Sequence, residues 1–183
     1  KFLVRIRGKH VFNPANVALV TVMLASERAW VSSGQWGSTA IAAAALACLG
    51  ILVLTRARRA ETTIAFLSIY AAMLFGRAIW LGDPVTIPIH QLQTGALLIF
   101  AFFMISDPKT TPNTASGRVL FAGIVAAIAY TIQFIYYIPN GAILALILSA
   151  PAVPLIDALM TGETYRWTQA ASRTEKPIKG AYQ

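Results

Sequence analysis

Six stretches of this chain stay apolar for long enough to cross a lipid bilayer, and most polar positions fall between them. A spanning helix needs roughly 20 mostly apolar residues. The candidate spans lie at about 13–31, 38–55, 62–81, 88–106, 118–138 and 141–160. Turn-forming residues punctuate them. Ser32-Ser33-Gly34 follows the first, Gly82-Asp83-Pro84 the third, Asp107-Pro108 the fourth, and Pro139-Asn140-Gly141 precedes the sixth. The connection over 107–117 is rich in Thr, Asn, Pro and Ser. No repeat of fixed period and no low-complexity tract interrupts the pattern. The expected fold is an all-α, polytopic integral membrane helical bundle. A transmembrane domain occupies 1–161 and a basic tail 162–183.

The charges give the bundle a direction. Lys1, Arg5, Arg7 and Lys9 precede the first span. Arg56, Arg58 and Arg59 follow the second, Lys109 and Arg118 flank the connection between the fourth and fifth, and Arg166, Arg173, Lys176 and Lys179 lie in the tail. With six spans all four groups face one compartment, and only Arg28 and Arg77 stand apart. By the positive-inside rule that compartment is the cytoplasm, so both ends of this chain are expected there, in a bacterial inner membrane. Trp30, Trp36, Trp80, Tyr136 and Tyr137 fall near the opposite edge, where half-polar rings favour the interface.

Composition agrees with lipid and excludes other classes. Of the 183 residues 57% are hydrophobic and 12% charged, against roughly 25% charged in soluble domains. The net charge of +8 sits in clusters between greasy segments rather than on one polar face, which points to anionic lipid and away from nucleic acid. The lone Cys48 builds neither a disulfide nor a thiolate metal site, and is read as a small apolar residue. His10 and His90 lack sequence neighbours with which to hold a metal or haem. No nucleophile, phosphate-loop or dinucleotide motif is present.

A few polar residues inside or beside the spans remain as candidate chemistry. Arg77 lies near the outer end of the third span, with Asp83 just beyond; it is either a snorkelling cation or an anion contact in a cavity. Glu27 and Arg28 hold a similar place in the first span, at the interface or facing a cavity. Pro151 and Pro154 break the sixth span ahead of Asp157. A broken membrane helix frees carbonyls that a cavity can use. Asp157 is therefore an ion or proton candidate, with a helix-end role as the alternative. Asp107, Thr110 and Thr111, in Asp107-Pro108-Lys109-Thr110-Thr111-Pro112-Asn113, either hold a phosphate or flavin edge or form a self-bonded turn.

Three landmarks in order carry a resemblance. They are Phe12-Asn13-Pro14-Ala15; Gly95 with Ala101-Phe102-Phe103-Met104-Ile105-Ser106-Asp107-Pro108 and Gly117-Arg118; and Pro139-Asn140-Gly141 with Val153-Pro154-Leu155-Ile156-Asp157. Together they resemble the RnfD/NqrB family, found in Rnf electron-transport complexes and in Na⁺-translocating NADH:quinone reductase. The likeness runs over about 8–160. It implies a broken-helix, inverted-repeat membrane scaffold and a flavoprotein subunit within a larger redox complex. FMN or riboflavin, a quinone, and coupling to Na⁺ or H⁺ come with it. It also implies additional spans upstream of the residues given.

Departures from the family pattern limit what carries over. The family attaches FMN to the threonine of a Ser-Gly-Ala-Thr motif in a long insertion. Here the first span passes through Gly34-Gln35-Trp36-Gly37 almost directly into the next. Gly37-Ser38-Thr39-Ala40 has similar letters in another order, so the flavin is not transferred to Thr39 and covalent FMN is not expected. Ser106 stands where the family has Thr, and Gln91 takes the place of a histidine, with His90 before it.

The leading expectation is an integral membrane subunit of an electron-transport assembly, in contact with the bilayer and with other subunits of a membrane redox complex. A cavity for quinone, flavin or cation would be bordered by Asn13, Asp107, Thr110 and Thr111. A non-catalytic anchor for redox partners is the second reading, and a transporter or channel-like protein the third. The tail, with Tyr165 and Trp167, is expected to lie at the membrane surface or to dock a neighbour.

Overall fold

A computed structural model of the chain describes residues 5–6, 9–26, 31, 45, 48–52, 55 and 60–162. The second expected span, the Glu27–Arg28 pair, Thr39 and the tail fall largely or wholly outside these residues.

Two long helices form the frame. Strands β1 (Arg5–Ile6) and β2 (Lys9–His10) pair antiparallel, and α1 (Pro14–Ala25) follows. Next come α2 (Ala60–Leu81), α3 (Thr86–Leu92) and α4 (Gly95–Ile99), which continues as a π-helical segment over Phe100–Met104. Then follow α5 (Ala115–Phe134), α6 (Gly141–Ser149) and α7 (Ala152–Leu159). Both α2 and α5 are long and apolar enough to span a bilayer alone. Two bent helix pairs are long and apolar enough when taken together: α3 turns by 50° into α4 and its π segment, and α6 by 52° into α7. The described residues thus hold two straight spans, or four if each bent pair is one, and α1 is a shorter apolar helix. The protein is a membrane-embedded helical bundle of broken-helix type.

The sequence explains where these elements start and stop. Asn13 caps α1, its Oδ1 accepting from the N–H groups of Ala15 and Asn16, and Pro14 takes the first-turn position where a missing N–H costs nothing. Thr114 caps α5 through the Gly117 N–H. Asn140 begins α6 in the left-handed conformation that asparagine tolerates. Pro151 immediately precedes α7 and Pro154 lies in its first turn, so both prolines fit a restarted helix where they would break a continuous one.

Small residues let the helices meet. Ala122, Val125, Ala126 and Ala129 of α5 are fully buried. Such faces suit membranes, where lipid is as apolar as leucine and close van der Waals packing drives association. A Cβ on Gly141 would stand 2.6 Å from the Ala129 carbonyl oxygen, so α6 seats on α5 through a bare backbone. Phe66 stacks on Tyr70 at 5.6 Å and meets Phe100 at 5.1 Å, closing the core between α2 and the π segment. Large apolar side chains such as Ile64, Ile79, Leu120, Leu148 and Leu155 point outward, and Trp80 is 88% exposed. A lipid environment accommodates that surface without cost.

Two spans depart from their sequence outline. The apolar run of the first extends to residue 31, yet α1 ends at Ala25, with Ser26 extended and Val31 non-helical. The fourth reads in sequence as one helix over 88–106. It breaks at Gln93–Thr94, with Thr94 in an extended conformation, and rewinds as a π helix before Ile105. The wide turn redirects carbonyls, and side chains take them up. Thr63 Oγ1 donates to Ala101 O at 2.6 Å, Asn13 Nδ2 to Met104 O at 3.1 Å, and Ser106 Oγ to Phe102 O. Local π turns of this kind are frequently found at functional sites.

Candidate functional site

Polar groups gather at two places: the end of the bundle that holds Asp157, and a cavity toward the end that holds Trp80.

At the first, Asp157 of α7 is clasped from two sides. Its Oδ2 pairs with Lys9 Nζ at 2.9 Å, and its Oδ1 accepts from the Asn113 N–H at 2.7 Å. Lys9 Nζ also donates to Asn113 Oδ1 at 3.0 Å. The Lys9 and Asp157 side chains are only 14% and 13% exposed. Arg118 extends the network, donating to Asn113 O at 2.8 Å and pairing with Glu61 at 3.3 Å. The β-hairpin, the connection over 107–114, α2, α5 and α7 are thereby tied at one end by charge. The sequence alone gives no sign of the Lys9–Asp157 pair, since 148 positions separate its members.

The neighbouring loop is bonded to itself. Asp107 Oδ1 accepts from the Lys109 N–H, and the Asp107 carbonyl accepts from the Thr110 N–H, Thr110 Oγ1 and Thr111 Oγ1. Thr110 and Asn13 both border a small cell of about 10 Å³, walled also by Val11, Asn16, Phe121 and the α6–α7 break. A volume near one water-sized sphere admits a single small particle and no ring system. Arg77 belongs to neither group. It pairs with Asp83 at 3.3 Å and lies over the Phe134 ring at 4.9 Å, near the Trp80 end of α2. Its partner was legible six residues on.

The larger cavity, about 280 Å³, opens beside the α3–α4 break. Tyr70, Gln91, Thr94, Gln133 and Asn140 supply its polar wall; Leu97, Phe100 and Ile143 its apolar one. Tyr70 O–H donates to Gln133 Oε1 at 3.0 Å, and Asn140 Nδ2 donates to Val31 O at 2.9 Å. Among the described residues, none that lines it carries a formal charge. The wall arises because α3 and α4 meet at an angle, exposing Gln91 and Thr94, while α5 and α6 bring Gln133 and Asn140 to the same depth. Sequence reasoning names Gln91 and, as part of the Pro-Asn-Gly turn, Asn140, but does not single out Tyr70, Thr94 or Gln133. The available signal is a tyrosine and a glutamine inside otherwise apolar spans.

Residues 28–166 match the NQR2, RnfD, RnfE family. The chain belongs to this family. Similar proteins include the D component of the ion-translocating oxidoreductase complex from three bacteria. That of Sodalis glossinidius (strain morsitans) is 37% identical over 94 residues, half of this chain and 27% of the relative. That of Vibrio vulnificus (strain YJ016) is 29% identical over 131 residues, covering 72% of this chain and 36% of the relative. That of Aliivibrio salmonicida (strain LFI1238) is 33% identical over 88 residues, covering 48% and 25%. The chain thus spans about a quarter to a third of the length of these relatives. The resemblance first carried by the Asn-Pro, Asp-Pro and Pro-Asn-Gly landmarks is that of the family found.

Proposed function

We propose that this chain works as an integral membrane subunit of an ion-translocating electron-transport assembly, and that its larger cavity receives a neutral redox ring, a quinone head group or a flavin ring without phosphate. The observation that carries this reading is an uncharged, half-polar cavity at a helix break in a member of this family. Small-molecule sites favour such concavities, mostly apolar with a few placed polar groups. The volume of about 280 Å³ suits one ring. The described residues of the wall include no cation to neutralise a phosphate, which favours a quinone or a bare flavin ring over FMN.

The residues present fit such a group. The Gln91, Gln133 and Asn140 amide N–H groups are placed for ring carbonyls, the Tyr70 and Thr94 oxygens, whose protons go to Gln133 Oε1 and Gln91 O, for a ring hydroxyl or N–H, and Phe100 and Leu97 for its faces. The bound ring would supply electron transfer, which none of these side chains performs. The chain's own part is to hold the ring, orient its polar edge and exclude water. Asn13, Asp107, Thr110 and Thr111 serve in this reading as the frame that holds the basic end together, and Asp157 and Arg77 as the ion-handling charges. The Lys9, Lys109 and Arg118 end faces the cytoplasm of a bacterial inner membrane, and other subunits of the assembly are the partners.

The test is purification of the assembly from its own membranes, followed by solvent extraction and mass spectrometry. Quinone or flavin is expected in near-equal amount to the chain, and Tyr70→Phe with Gln91→Leu is expected to reduce it at least tenfold. An assembly free of both, or one indifferent to these substitutions, would count against the cavity as the redox site. The anchor reading gains support if pigment resides wholly in other subunits.

A further inference from the structure

The small cell by the α6–α7 break is lined by a residue whose buried acceptor has nothing to accept. Asn16 is 1% exposed, and its Oδ1 has no hydrogen-bond partner among the described residues. Its orientation is fixed, because Nδ2 donates to Ile143 O at 3.0 Å and so the oxygen is the end left over. Burying an amide oxygen without a donor is costly. Asn16 lines the cell of about 10 Å³ together with Asn13, Thr110, Ile147 and Ala150.

The opposite wall is short of donors too. Pro151 and Pro154 have no N–H, so the carbonyls of Ile147 and Ala150 lose their regular α-helical donors four residues on. They accept instead from the Ala150 and Val153 N–H groups at 3.3 and 3.2 Å, long bonds for a helix. The Thr110 hydroxyl spends its proton at 3.4 Å on Asp107 O and keeps lone pairs to offer. A cell bordered by these acceptors, with room for one particle, calls for a small donor.

We propose that this cell is a binding site for one ordered water, which donates to Asn16 Oδ1 and to a carbonyl at the α6–α7 break. The water bolts α1 to the hinge of the bent pair and replaces part of the bonding that the two prolines remove. A water is the better occupant than an alkali cation because no carboxylate lines the cell among the described residues. Buried waters of this kind typically make about three hydrogen bonds to otherwise unsatisfied groups.

High-resolution cryo-electron microscopy of the intact chain in lipid nanodiscs tests this directly. A single density peak is expected about 2.8 Å from Asn16 Oδ1. A dry cell would overturn the proposal, and so would a peak at metal–oxygen distances from several oxygens. The peak is expected to be the same in sodium, potassium and choline chloride; a peak present only in sodium would assign the cell to a cation and overturn the proposal. A pair of near-isosteric variants reads the donor itself. Ala150→Val fills the cell with a methyl, whereas Ala150→Thr fills it with a hydroxyl that can donate to Asn16. Amides across 141–156 are expected to exchange about tenfold faster in the Val variant than in the Thr variant. Equal exchange in the two would overturn the proposal.

Discussion

Replacing Asp157 with leucine is expected to destabilise the bundle by about 3 kcal/mol, the usual cost of removing one member of a mostly buried ion pair. The substitution strips Lys9 Nζ of its carboxylate at 2.9 Å and leaves the Asn113 N–H without the oxygen it reaches at 2.7 Å. Both losses fall where few water molecules can compensate, since the two charged side chains are each about one-seventh exposed. The lysine partner should feel the change most: with Lys9→Met added, the double variant should recover most of the loss, because no buried charge is then stranded. Thermal unfolding in detergent of the wild type, both single variants and the double variant checks this. A single Asp157→Leu variant as stable as the wild type would show that the clasp holds nothing.

Gly141→Val should also be damaging, for steric reasons. Even the first carbon of a side chain at this position would lie 2.6 Å from Ala129 O and 3.2 Å from the Gln133 Cβ and backbone nitrogen. A backbone oxygen cannot swing aside as a flexible side chain can. Relief requires α6 to move off α5, which would open the packing of Ile143 and Leu146 in the core. Overpacking of this kind costs about 1–3 kcal/mol and sometimes more. The wall of the larger cavity would be displaced as well, because Asn140, Ala142 and Ile143 belong to it. A lowered unfolding midpoint with accelerated proteolysis near the Pro139–Gly141 turn is the expected outcome. By contrast, Gly76→Ala, at a position with open space around it, should leave stability within about 0.5 kcal/mol of wild type or slightly above it.

The contrast between these glycines shows what a sequence does and does not carry. Apolar length marks α2 and α5 well: the expected 62–81 and 118–138 correspond to Ala60–Leu81 and Ala115–Phe134. Pro151 and Pro154 announce the break between α6 and α7, since missing N–H groups are written in the residue type. The break at Gln93–Thr94 has no such mark, and an extended Thr94 before Gly95 is a weak signal within an apolar run. Of the side chains that take up carbonyls of the π turn at Phe100–Met104, only Ser106 is local; Thr63 on α2 and Asn13 capping α1 come from far along the chain. The same limit applies to the candidate site. Arg77 and Asp83 are neighbours in sequence, and their pairing is legible there. Lys9 and Asp157 meet only through the fold, and the larger cavity draws its polar wall from three helices, the α3–α4 break and the turn before α6.

Photoaffinity labelling of the assembly with an azido-quinone, followed by peptide mapping, tests the central claim most directly. Adducts are expected within 91–100 and 139–143, with loss of labelling in Tyr70→Phe combined with Gln91→Leu and competition by unlabelled quinone. Labelling confined to peptides that hold Asn13 and 107–111, or found only on other subunits, would contradict the assignment of the redox ring to the cavity beside the α3–α4 break.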